Sequence, residues 1–139
     1  MTDRIAALWR AGTAPAHDGL YRADDTAFAI DTNGAALSWF DLGPRLDLDE
    51  VLADPHDVIE IDEAARAEIA DGVIVCGPGE LGADGFFARL DPTGNLCWLV
   101  ASTRSNPFER IAISGTVVEV TDNLGNSVAF DLLDPHFAR

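Results

Sequence analysis

The sequence predicts an α+β fold: a mainly antiparallel β-meander or sheet with one or two short helices packed on it, in one globular domain over residues 1–139. Three observations carry this. A local pattern occurs three times: Asp31-Thr32-Asn33-Gly34 before Leu37 and Trp39, Asp91-Pro92-Thr93-Gly94 before Leu96 and Trp98, and Asp122-Asn123-Leu124-Gly125 before Val128 and Phe130. Each Asp-x-x-Gly is a turn with a mechanism, since the Asp side chain caps the turn's own backbone and the glycine takes the positive φ that closes it. With strand-like alternation on both sides, three β-hairpins result, Gly34, Gly94 and Gly125 each lying in a turn. Second, from Val73 onward β-type runs follow one another through short turns, which favours antiparallel neighbours. Third, 139 residues with 47% hydrophobic content can bury a real core, and no composition break marks a boundary.

Thr2 or Asp3 caps a short helix through Arg10, with Ile5, Leu8 and Trp9 on one stripe and Gly12 ending it. Thr13 to Gly19 reads as a loop and Leu20-Tyr21-Arg22 as a first strand. Thr26–Ile30 and Ala35–Asp41 form the first hairpin, and Gly43-Pro44 breaks the sheet pattern. Leu46, Leu48, Val51 and Leu52 make a short helix or an extended edge, ended by Asp54-Pro55. Val58–Ile61 alternates like a strand. Asp62 then resembles an N-cap for a helix over Glu63–Ala70, where alanines and early acids favour helix and Gly72 stops it. Strands are expected at Val73–Cys76, Gly85–Leu90, Leu96–Ser102, Arg110–Ser114, Thr116–Val120 and Ser127–Leu132. Trp39, Trp98 and Phe130 should share the core with Phe87, Leu90 and Val118.

Charge separates classes of partner. Twenty-four acids against nine basic residues, all Arg, give a net of −15. Residues 41–84 hold thirteen acids and two arginines, Arg45 and Arg66, hence −11 of that total. A field of that sign repels nucleic acid and anionic lipid and steers basic proteins in; a solvated face serving solubility alone is the bland alternative. No apolar run approaches the roughly 20 residues that span a bilayer, and the N-terminus has no secretory h-region, so a soluble cytoplasmic protein is expected. Cys76 and Cys97 lie in apolar runs and read as buried free thiols.

Catalytic patterns are sparse. Gly77-Pro78-Gly79-Glu80-Leu81-Gly82 matches G-x-G-x-x-G after an apolar strand, but the chain leads through Ala83-Asp84-Gly85 into another strand instead of the helix that a dinucleotide site needs. A loop between strands is the better account. His56 and His136 each follow Asp-Pro, and His with carboxylate is a common pairing at divalent metals, yet the spacing fits no metal motif and Asp-Pro opens ordinary turns. Ser38, Ser102, Ser105, Ser114 and Ser127 lie in no nucleophile elbow. No cofactor or metal is expected. The loop Ser105-Asn106-Pro107-Phe108 joins two strands, and Phe108 either folds back onto the core or anchors a partner.

The C-terminal half, Gly85–Leu132, resembles small bacterial immunity proteins of toxin systems. The likeness rests on Phe86–Gly94, Leu96-Cys97-Trp98, the Ser105–Phe108 loop and Asn123-Leu124-Gly125 with Phe130-Asp131-Leu132. It implies a non-enzymatic protein that binds and blocks one cognate toxin, often a basic nuclease. The candidate partner-binding residues are Asp47, Asp49, Glu50, Asp57 and Glu60 in the acidic segment, with Phe108. The competing expectations are a small metal-dependent enzyme or ligand binder using the Asp-Pro-His segments, and a structural or regulatory β-domain that forms a homodimer through a sheet edge.

Overall fold

The computed structural model describes residues 3–32, 40–80, 82, 84–103 and 106–138. The N-terminal part holds α1 (Arg4–Arg10), β1 (Thr13–Pro15), β2 (Gly19–Arg22), β3 (Ala27–Thr32), β4 (Phe40–Arg45) and α2 (Leu48–Val51). Then come β5 (Val58–Glu60), β6 (Ala65–Ile69), β7 (Gly72–Pro78), β8 (Gly85–Leu90) and β9 (Leu96–Ser102). The C-terminal part is β10 (Phe108–Ser114), β11 (Val117–Asp122) and β12 (Ser127–Asp131). The α+β expectation, sheet-dominated and antiparallel, holds.

Among the described residues, seven strands form one sheet in the order β4-β3-β2-β9-β8-β7-β6, with every pair antiparallel. It consists of two meanders, β2–β4 and β6–β9, sealed where β2 lies against β9 with Leu20 opposite Val100 and Tyr21 opposite Leu99. β10-β11-β12 form a second sheet, and β1 pairs with β5. Pleating sends alternate residues of the large sheet to its two faces. Tyr21, Val75, Phe86, Ala88 and Leu99 pack under Ile5 of α1, Ala14 of β1 and Leu48 and Val51 of α2. Leu20, Ile74, Cys76, Phe87, Trp98 and Val100 pack on the opposite face, against Phe108, Val118, Val128 and Phe130 of the small sheet and against Phe137. Covered on both sides, β8 is buried at every residue, which is why it reads as a nearly unbroken apolar run.

The turn chemistry works as the sequence indicates at two of its three sites. Asp91 Oδ1 accepts from the Thr93 and Asn95 N–H groups, both at 2.9 Å, while Gly94 has φ +90°. Asp122 Oδ1 accepts from Leu124 and Asn126 at the same distance, with Gly125 at φ +87°. The third turn, with Gly34, lies outside the described residues, as do Trp39, Ser105 and the Thr2 cap.

Four expectations are corrected. Residues 63–70 are not a helix: Ala65–Ile69 is β6, paired with β7 from Ala65 opposite Cys76 to Ile69 opposite Gly72. The run alternates, with Ala65, Ala67 and Ile69 half-buried and Arg66 and Glu68 exposed, and sheet pairing outweighs alanine's helical preference. Gly43-Pro44 does not break the sheet but lies inside β4; a proline is tolerated there because β4 is an outer strand. The Thr13–Gly19 loop contains β1. Leu90 belongs to the helix-covered face and not with Phe87 and Trp98, since residues 87 and 90 point to opposite sides of the pleat.

Candidate functional site

The acidic candidates arise from the layer that covers one face of the large sheet. Asp47 caps α2 by accepting from the Asp49 N–H at 2.9 Å, and Asp49 and Glu50 occupy the first turn, where carboxylates suit the helix dipole. Leu48 and Val51 point into the core, which turns Asp47, Asp49 and Glu50 outward to solvent. On β5, Ile59 is buried and Glu60 exposed. Asp57 is half-buried, its Oδ2 accepting from the Asp54 N–H at 2.9 Å. Among the described residues one cation pairs with this group: Arg4 Nη2 lies 2.9 Å from Asp49 Oδ1, with the Arg4 side chain about half exposed and Asp49 mostly in water, where such a pair contributes little.

Phe108 does not join them. It is 1% exposed and meets Phe87 edge to face at 5.4 Å, so it is a core residue with no surface to offer a partner. Extra bulk at residue 85 would strike the Phe108 ring, at 2.9 Å from an added Cβ, so Gly85 is what lets this loop seat its aromatic.

The two Asp-Pro-His segments share one geometry. Asp54 Oδ1 accepts from the His56 N–H at 2.8 Å and Asp134 Oδ1 from the His136 N–H at 2.9 Å, so each aspartate closes its own turn. His136 Nδ1 also lies 3.1 Å from Asp134 Oδ1. Among the described residues no group of three or more His, Cys, Asp or Glu side chains is placed to hold a metal ion. Nor is any helix there long and apolar enough to cross a membrane.

Packing accounts for two of the G-x-G-x-x-G glycines. A Cβ at Gly77 would lie 1.8 Å from the Asp62 carbonyl oxygen, and one at Gly79 2.5 Å from the Asp84 carboxyl. Gly77 and Pro78 belong to β7, and β8 begins at Gly85, so among the described residues no helix follows to receive a phosphate.

Sequence reasoning passed over a clamp on the C-terminal segment. The Arg89 Nη1 and Trp98 Nε1 groups both donate to the Phe137 carbonyl at 2.9 Å, and Arg22 Nη2 donates to the Ala138 carbonyl at 2.9 Å. These bonds seat the Phe137 ring, 4% exposed, on Trp98 and Phe130 at 5.2 and 4.8 Å. The signal was present as an arginine inside the otherwise apolar run Gly85–Leu90, since a charge buried in a strand needs dedicated acceptors. Alongside this segment, a groove of about 400 Å³ separates β4 from β12.

Compared with family models, curated proteins and solved structures, the chain matches none.

Proposed function

We propose that this chain is a non-enzymatic acidic binding protein that captures a basic protein, acting as an immunity protein that blocks a cognate bacterial toxin. The observation that carries the reading is the outward presentation of Asp47, Asp49, Glu50 and Glu60 from one layer, within a segment that holds most of the net charge of −15. Such a field raises the encounter rate with a basic partner and disfavours acidic ones. Where the toxin is a nuclease, these carboxylates take the place of the phosphates of its substrate, and capture blocks its cleft sterically.

The test is co-expression with the product of an adjacent toxin gene, together with stopped-flow association of the purified proteins. Asp49→Lys, Glu50→Lys and Glu60→Lys combined is the variant of choice, because it spares the Asp47 cap and the Asp57 turn bond. The association rate should fall by about tenfold or more at low salt, and the gap should close as the Debye length shrinks from about 10 Å to 3 Å. No protection of cells and no stable complex would sink the proposal, as would kinetics indifferent to both charge and salt.

A further inference from the structure

Among the described residues, β12 pairs only with β11 and β4 only with β3, so each is the outer strand of its sheet. The groove between them is lined by Phe40, Asp41 and Leu42 of β4 and by Ala129, Phe130 and Asp131 of β12. Side chains of successive strand residues point to opposite faces, so three consecutive residues share one groove only where it runs along the strand's edge. The ladder shows which main-chain groups face it. The Asp122 N–H donates to the Asn126 carbonyl and the Leu132 N–H to the Thr116 carbonyl, each at 2.8 Å. Hydrogen-bonded and non-bonded pairs alternate between those two points, which puts Ala129, opposite Glu119, in a non-bonded pair. Its N–H and carbonyl therefore point away from β11 and into the groove. The Asp131 carbonyl instead accepts from the Asp134 N–H at 3.0 Å.

The groove's charge specifies its occupant. Asp41 lines it and stands directly opposite Asp31 of β3, which lies outside the lining; both are exposed, and this like-charge pairing destabilises an antiparallel sheet. Asp131 and Asp134 add two further carboxylates on the other wall. The basic group among the lining residues is His136, already beside Asp134. Phe40 and Leu42, both half-buried, supply an apolar floor.

We propose that the groove between β4 and β12 docks an extended segment of a partner protein in which basic and apolar residues alternate, added as a strand to the free edge of β12. Main-chain bonds to Ala129 hold the segment; its apolar side chains rest on Phe40 and Leu42 and its cations neutralise Asp41 and Asp131. The groove lies on the face of the large sheet opposite α2 and β5, so it is a contact distinct from the acidic layer and does not depend on the partner being a toxin.

The test uses the full chain and a fluorescent peptide of about seven alternating lysines and valines, long enough for one edge strand. A second peptide of identical charge carries N-methyl groups on alternate residues and cannot pair, and a third has glutamate for lysine. Fluorescence anisotropy should give micromolar binding for the first, at least about tenfold weaker binding for the N-methylated form, and none for the acidic form. Ala129→Pro removes an N–H that β11 does not use, so this variant should fold and show the same tenfold loss. Asp31→Asn with Asp41→Asn should weaken the lysine peptide and raise the melting temperature. Equal affinity for the methylated and unmethylated peptides would reduce the effect to bulk charge attraction and overturn the proposal. No binding at millimolar concentration, or equal binding of the acidic peptide, would also overturn it. Self-association that Ala129→Pro abolishes would assign the edge to a second copy of this chain instead. Reversal of the acidic layer should leave the ratio between the two lysine peptides unchanged, so this test and that of the proposed function fail separately.

Discussion

Trp98 is the residue whose removal the structure prices most clearly. Its ring is 0% exposed and makes edge contacts with Phe87, Phe130 and Phe137 at 6.0, 5.3 and 5.2 Å. Truncating a buried aromatic of this size costs about 3–5 kcal/mol, and the lost Nε1 bond to the Phe137 carbonyl adds about 1 kcal/mol. Trp98→Ala should therefore cost roughly 4–6 kcal/mol, against a total of about 5–15 kcal/mol for an ordinary domain. Trp98→Phe separates the two contributions. The Phe137 carbonyl still accepts from Arg89, so no buried acceptor is orphaned, and this variant should cost only about 1–2 kcal/mol. Equilibrium urea unfolding followed by circular dichroism measures both, and each kcal/mol should lower the melting temperature by about 3 °C. An alanine variant within about 1 kcal/mol of the parent would show that the ring does not sit between the two sheets. If phenylalanine costs as much as alanine, the clamp outweighs the packing.

Gly77→Ala should cost more than about 3 kcal/mol, because the added Cβ meets the Asp62 carbonyl at 1.8 Å, whereas Gly82→Ala, with open space but φ +82°, should cost about 1 kcal/mol. Urea denaturation distinguishes them, and equally mild effects would contradict the packing account of this loop. Burial, with Glu63 and Glu109 nearby, pushes the Cys76 thiol up to about 12, and burial with Asp18 raises the Tyr21 phenol. Both stay protonated in the fold where the unfolded chain's thiol and phenol ionise, near about 8.5 and 10: the thiol's contribution is complete below pH about 8.5 and is lost as pH rises toward about 12, and the phenol's is complete below pH about 10 and declines above it. Cys76→Ala should flatten the decline of stability between pH about 9 and 11 by close to one proton; an unchanged slope would refute the assignment.

How much of this was legible depends on whether the deciding interaction is local. The Asp91 and Asp122 turns could be read because the capping carboxylate and the positive-φ glycine lie within four residues of each other. The β1–β5 pairing could not: the alternation of Val58–Ile61 marked β5, but three-residue β1 carries no period, and Thr13 meets Glu60 only once the layer has assembled. Ala65–Ile69 was ambiguous in kind: its alternation is a strand signal and its alanines a helix signal, and the outer position beside β7 decides. The separation of Leu90 from Phe87 was implicit in the strand period.

The candidate site was legible as charge and not as geometry. Composition located the acidic segment, and the outward aspect of α2 follows from the apolar Leu48 and Val51 at its buried side. Phe108 was undecidable from sequence, because an aromatic after Asn-Pro can turn either way and only the close approach at Gly85 fixes it inward. The groove was invisible for a different reason. It is made by strands far apart in the chain, and although Arg89 in its apolar run signals a buried donor, the carbonyl groups that Arg22, Arg89 and Trp98 grip leave no mark in the sequence.

β4 ties the two surfaces together. Phe40 to Leu42 line the groove at one end of the strand, and Arg45 leads through Leu46 and Asp47 into α2 at the other. From Leu42 the strand runs only about 10 Å to Arg45, little more than one Debye length at physiological salt, before the chain turns through Leu46 and Asp47 into α2. A cation docked in the groove therefore feels the α2 carboxylates through about one screening length, so their direct contribution is reduced, while a basic partner approaching from solution meets the field of both. If both proposals hold, charge on α2 sets how often encounters occur and the edge of β12 how long they last. That division predicts different kinetic signatures: reversal on α2 acts on association, and Ala129→Pro acts on dissociation. A partner for which both substitutions change the same rate constant would show that the two surfaces work as one.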